Sequence, residues 1–116
     1  MGAGDEIRGM AARLNDAPTR AVDLIRQATV KATTDTQAEA RRRAPVDTGY
    51  LRSSITARHG AQGSTVFGVI EAGANYAAYV EHGTSRAGPQ PFMRPATELH
   101  APKWQAAIEQ IGGKAL

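Results

Sequence analysis

The chain contains no cysteine among its 116 residues. That excludes a disulfide framework, a thiolate zinc site and a cysteine nucleophile, and it fits assembly in a reducing cytoplasm. Aromatic residues are scarce, at one Trp, three Tyr and two Phe, although 41% of the chain is apolar. Alanine supplies much of that fraction, so the expected core is thin and helix-rich, and a thin core leans on partner subunits for burial. No apolar run approaches the ~18–20 residues of a membrane span, so no membrane partner is expected. The start, Met1 to Glu6, has neither a basic nor an apolar stretch of the kind that directs secretion, and the chain is expected to be made and used inside a cell. The length suits one domain over residues 1–116.

Charge of one sign is also lacking. The net charge is +3, mostly from arginine, and the only basic run is Arg41-Arg42-Arg43. A dedicated nucleic-acid binder usually gathers basic residues on one face. Catalytic patterns are missing as well. There is no H-E-x-x-H, no phosphate-binding Walker loop, no Gly-x-Ser-x-Gly and no paired carboxylates. His59, His82 and His100 each lack a second ligand at i+3 or i+4. Glu81 and His82 are adjacent, so on a helix they diverge and do not suit a shared metal. His82 reads as a solvent-facing or interface residue at a helix end. Asp47 reads as a turn-forming residue rather than a catalytic acid. The sequence therefore points to no enzyme, no metal and no cofactor.

What is present is a succession of short patterns. Ile7, Met10, Ala11 and Leu14 recur at helical spacing, which predicts a helical N-terminal segment within residues 1–17. Pro18 closes that pattern and can open the next helix. Pro18 to Arg43 holds no internal Gly or Pro. Val22, Ile25, Ala28, Ala32 and Ala40, helped by Leu24 and Thr36, form a weak apolar stripe. A helix over this stretch would be ~39 Å long, packed closely on a sheet or on a neighbouring subunit. It should end at Ala44, before Pro45, with Arg41 to Arg43 complementing its dipole. Pro45 to Gly49 reads as a turn.

Alternation predicts a strand over Ser53–His59 and a second over Thr65–Ala72. They are joined through Gly60 to Gly63 as a hairpin. Tyr76, Tyr79 and Val80 at i, i+3, i+4 predict a short helix ended by Gly83. Thr84 to Gln90 should be an exposed, mobile loop. Pro95 suits the start of a last helix, which Pro102 would interrupt. Trp104, Ala107, Ile108 and Ile111 give that helix an apolar face, and Gly112-Gly113 should stop it. The expectation is an α+β domain: a long N-terminal helix on a small antiparallel sheet, with a short helix and a C-terminal helix.

Three segments carry a resemblance. The first is Arg43-Ala44-Pro45-Val46-Asp47-Thr48-Gly49-Tyr50-Leu51-Arg52-Ser53-Ser54-Ile55. The second is Tyr76-Ala77-Ala78-Tyr79-Val80-Glu81-His82-Gly83-Thr84, and the third is Pro91-Phe92-Met93-Arg94-Pro95-Ala96. In this order and spacing they resemble the tail-completion or minor tail-component family of lambdoid-type siphophages and prophages. The resemblance spans about Arg43 to Ala96. It implies a structural virion protein at the head–tail joint or upper tail, without catalytic residues. It also implies assembly into a ring following the sixfold symmetry of the tail, with neighbouring neck and tail proteins as partners. Pro45, Thr48, Gly49, Leu51, Tyr76, Tyr79, Glu81, Gly83, Thr84, Pro91, Phe92 and Pro95 then become scaffold or interface positions. The long helix and the 84–90 loop are expected to supply the two sides of the ring contact. The competing reading is a small nucleic-acid-binding module that uses Arg41, Arg42 and Arg43 at the basic helix end, with Tyr76 and Tyr79 to stack on bases. Even in the first reading, these arginines could touch DNA in a channel without sequence preference.

Overall fold

The computed structural model describes residues 6–14, 19–45 and 49–115, the last three by backbone alone. Pro18, Asp47 and Thr48, and the outer parts of the N-terminal segment, lie outside the described residues. Along the chain come β1 (Glu6–Arg13), α1 (Thr19–Arg43), α2 (Tyr50–Ser53), β2 (Ile55–Gln62), β3 (Thr65–Ala72), α3 (Ala77–His82) and α4 (Met93–Ala115). The three strands form one antiparallel sheet in the order β1-β3-β2. The two long helices pack on each other and on one face of that sheet. The fold is α+β, as expected.

The N-terminal segment departs from expectation: residues 6–13 are a strand, not a helix. A helix of this length is marginal in water, whereas β3 has a second edge whose backbone groups need partners. Pairing from Glu6↔Ala72 to Arg13↔Thr65 supplies them. Gly9 fits this role, since a Cβ there would lie 2.8 Å from the Gly68 carbonyl oxygen.

The long helix forms where expected, but its buried face is displaced from the apolar stripe. Ala21, Ile25, Thr29, Ala32, Thr33, Thr36 and Ala40 are buried, while Val22, Leu24 and Ala28 are only partly covered. Three threonines can occupy this face because each hydroxyl donates back one turn, Thr29 to Ile25 O at 2.7 Å, Thr33 to Thr29 O and Thr36 to Ala32 O at 2.6 Å. A buried hydroxyl that keeps its hydrogen bond behaves as a small filler. Gly68 on β3 lies directly beneath, and a Cβ there would fall 1.9 Å from Thr33 Oγ1. The helix and sheet approach as closely as they do because one strand residue has no side chain.

The hairpin is tighter than the sequence suggested. β2 and β3 pair through Gln62↔Thr65, leaving a two-residue turn at Gly63 and Ser64, with Gly63 at φ 61°. β3 covers the expected Thr65–Ala72. β2 starts later than expected because Tyr50–Ser53 forms the separate turn α2. The final helix begins at Met93, not Pro95, and runs through Pro102 and beyond Gly112-Gly113. Pro102 is exposed, so the Glu98 carbonyl that it deprives of a donor can turn to water. Packing holds the helix together on both sides of the break: Phe92, Met93 and Ala96 are fully buried before it, and Trp104 Nε1 donates to Thr29 Oγ1 at 2.9 Å after it. Trp104 is therefore half-buried between the helices rather than a central core residue.

The core is as thin as the composition implies. Ala40, Ala44, Leu51, Ile55, Ile70, Ala72, Ala74, Ala77, Phe92, Met93 and Ala96 form its main cluster.

Candidate assembly surface and the motif residues

The first motif builds α2. Gly49 stands at φ 83° and opens the turn from the left-handed region, where a side chain would be strained. Leu51 points into the core at 4% exposure. Ser53 N and Ser54 N close back onto the Gly49 and Tyr50 carbonyls at 3.0 Å. Pro45 is half-buried at the exit from α1. Gly49 and Leu51 are thus scaffold positions, while Tyr50, Arg52 and Ser53 face outward.

The second and third motifs form one unit. Glu81 is 3% exposed, and its carboxylate accepts from the backbone N–H groups of Phe92 at 3.1 Å, Met93 at 2.9 Å and Arg94 at 3.0 Å. The first N–H groups of a helix have no partner within it, and a negative charge there also meets the positive end of the helix dipole. Glu81 is therefore a capping residue for α4, supplied from α3. The chain between them is pinned at both ends. Gln90 N donates to Val80 O at 2.8 Å, and Thr84 N donates to Ala87 O at 2.8 Å. Thr84 Oγ1 accepts from the N–H groups of Arg86 at 3.2 Å and Ala87 at 3.1 Å. Gly83, at φ 82°, passes so near that a Cβ would meet Pro89 N at 2.8 Å. The 84–90 loop is exposed throughout, as expected. Pro91 and Pro95 are half-buried beside the fully buried Phe92.

The tyrosines lie elsewhere than the core. Tyr50, Tyr76 and Tyr79 are 56%, 37% and 59% exposed. The Tyr50 and Tyr76 rings lie 6.2 Å apart in a tilted pair, so α2 and α3 together present aromatic surface. Tyrosine and arginine are enriched where proteins meet other proteins, and Arg52 is exposed beside this group on α2.

The basic run is less available than its sequence suggests. Arg41 donates through Nη2 to Ile55 O at 2.8 Å, and Gln37 Nε2 shares that acceptor at 3.0 Å. Arg42 and Arg43 both bind Glu39, Arg43 through Nε at 2.7 Å. The hydrogen bonds from Arg42 and then Arg43 hold the Glu39 carboxyl below its usual range. Only Arg42 and Arg43 remain on the surface, and one carboxylate offsets part of their charge.

His82 Nε2 lies 3.4 Å from Glu6 Oε2, and Arg8 Nη2 lies 2.9 Å from Glu6 Oε1. This group ties the end of α3 to the start of β1. Glu6 escaped the sequence reading because a lone acidic residue near the chain start carries no pattern. Gly68 escaped because a single glycine inside a strand pattern does not show which element approaches it. Among the described residues, no three His, Cys, Asp or Glu side chains gather in a way that could hold a metal, and no helix is long and apolar enough to cross a membrane.

The geometry defines a class first: a small helix-on-sheet α+β domain whose motif residues brace its own backbone and leave tyrosines outside. Residues 8–83 match the model of the HK97-gp10-like family, described as "Bacteriophage HK97-gp10, putative tail-component", and the chain belongs to that family. It is a bacteriophage structural protein, with other tail proteins as its partners. The match ends at Gly83, so Pro91-Phe92-Met93-Arg94-Pro95 lies beyond it and is joined to it through the Glu81 cap. No curated protein and no solved structure matches the chain.

Proposed function

We propose that the chain is a non-enzymatic tail-completion or neck subunit that assembles as a ring at the head–tail joint or upper tail. The observation that carries the non-enzymatic part is the use made of Glu81. It is the one carboxylate among the twelve motif positions, and it is buried and engaged with backbone N–H groups. The motif is thus used to hold a shape. In this reading the shape is made in the host cytoplasm, from a phage or prophage gene, and then enters the virion. The long helix and the 84–90 loop lie against the two sides of the ring contact, and six subunits would follow the symmetry of the tail. Any contact with DNA passing through the ring is non-specific and falls to Arg42 and Arg43.

Removing the gene tests the role. The expected result is filled heads and tails that fail to join, or joints of aberrant form, with restoration by the gene supplied in trans. Normal infectious virions from the deletion would contradict it. For DNA, weak binding that disappears steeply with added salt is expected. Tight, salt-resistant binding would favour a dedicated nucleic-acid module instead.

A further inference from the structure

Among the described residues the sheet has two free edges, and they match. Leu14 N donates to Ser64 O, and Gly73 N donates to Ser54 O. These two bonds set the phase of both ladders. With the registers Glu6↔Ala72 and Ile55↔Ala72, the backbone groups of alternate residues turn away from β3. On β1 these are Ile7, Gly9, Ala11 and Arg13. On β2 they are Ile55, Ala57, His59 and Ala61. Among the described residues, the Ile55 carbonyl is accounted for by Gln37 and Arg41, and no main-chain bond reaches the others. Each edge strand is eight residues long. Both run antiparallel to β3 and so parallel to each other. Neither carries a proline or lysine, the residues with which edges are commonly blunted.

The surroundings of the two edges differ in a complementary way. Beside β2 lies an open groove of about 280 Å³ between the strand and α1, lined by Arg26, Val30, His59, Ala61, Val66 and Phe67. This is where side chains of one more strand would sit. Beside β1 lie α4 and the end of α3, the latter held there by the contact of His82 with Glu6.

We infer that β1 of one copy pairs in parallel with β2 of the next, so that the sheet continues from subunit to subunit. A rotation about an axis near the strand direction brings the two edges together head to tail, and repetition closes a ring. This rests on the ring reading above and adds its register: α1 flanks the contact from one subunit, and α4 with the end of α3 flanks it from the other. Pairing through backbone groups also requires no particular side chain, which agrees with the small residues along both edges.

Native mass spectrometry of the full chain tests the inference with two variants. Ala11→Pro and His59→Pro each remove an outward N–H without removing a bond inside the sheet, and edge strands tolerate proline at such positions. The unaltered chain is expected as a closed multimer, and each folded variant as a single subunit. Mixed together, the variants should give a dimer and nothing larger, through the one edge each retains. A ring from either folded variant would overturn the inference, as would self-dimers of His59→Pro, which would mean β1 pairing with β1.

Amide exchange on the unaltered chain decides the matter if a variant does not fold. Gly9, Ala11, Ala57, His59 and Ala61 should exchange at least tenfold more slowly in the ring than in dilute monomer. Rings with freely exchanging edges would overturn the edge pairing alone. A chain monomeric at every concentration would overturn the ring itself.

Discussion

Glu81 shows how a motif residue can be recognised from its pattern while its work is visible only in three dimensions. In the sequence it stands beside His82, in a stretch that could suggest chemistry. In the fold it caps a helix that starts twelve residues later. Hydrogen bonds to a charged group are each worth about 1.5–3 kcal/mol. Glu81→Ala, which leaves three N–H groups without their acceptor, is expected to lower unfolding stability by about 3 kcal/mol or more. Glu81→Gln, which keeps one carbonyl oxygen, should cost roughly half as much. Urea denaturation measures both, and a loss near zero for the alanine variant would show that the cap is dispensable. Gly68 makes a second residue-scale case. Gly68→Ala must displace Thr33, and overpacking of this kind costs about 1–3 kcal/mol. Adding Thr33→Ala removes the hydroxyl in the way and should recover part of the loss, so a double-mutant cycle would give coupling between the two sites. A simple sum of the two single losses would refute the close contact. Glu39 gives a pH dependence of known sign. Its carboxyl is held below the usual range by Arg42 and Arg43, so the contribution is complete above the unfolded-state pKa and is lost as pH falls through the lower folded value. Because Arg42 and Arg43 are exposed, added salt should weaken both pairs.

At the scale of elements, what could be read from the sequence depended on how local the determining forces were. The long helix was legible because it has no internal Gly or Pro, and β3 because Val66, Phe67, Val69 and Ile70 are β-formers interrupted only by Gly68. The small helix ending at Gly83 was legible from its spacing. β1 was not, because Ile7, Met10, Ala11 and Leu14 satisfy a helical period by themselves, and only the unpaired edge of β3 decides against it. The continuity of α4 was hidden for a similar reason. Pro102 is a strong local break, and what offsets it is distant packing, with Thr29 receiving the Trp104 indole. That offset is testable. Pro102→Ala restores a donor to Glu98 and removes a ring from an exposed helical position, so stability should rise by about 1–3 kcal/mol, less than the full interior cost if the helix already bends to accommodate the ring. Unchanged or lower stability would mean that Pro102 makes a favourable contact of its own. Of the site, the motif positions were legible as a set. Their division into braces such as Glu81, Gly83 and Phe92 and outward residues such as Tyr76 and Tyr79 was not, because spacing alone does not tell a buried neighbour from solvent.

The whole molecule measures 52 × 23 × 22 Å. It is elongated because α1 and α4 lie together along a sheet only three strands wide. A domain of this shape has little interior, and its alanine-rich core matches that. It has correspondingly much side surface, including two open strand edges, an aromatic group on α2 and α3, and an exposed loop. Family membership assigns such a body to the phage tail, and the proposed ring gives those surfaces a use. The most direct measurement is a reconstruction of the intact virion at the head–tail joint, at a resolution that separates strands. The expected result is a closed ring of this chain between head and tail tube, with density continuous from β2 of one subunit to β1 of the next. A joint filled by other proteins, with this chain absent from the virion, would contradict the central claim.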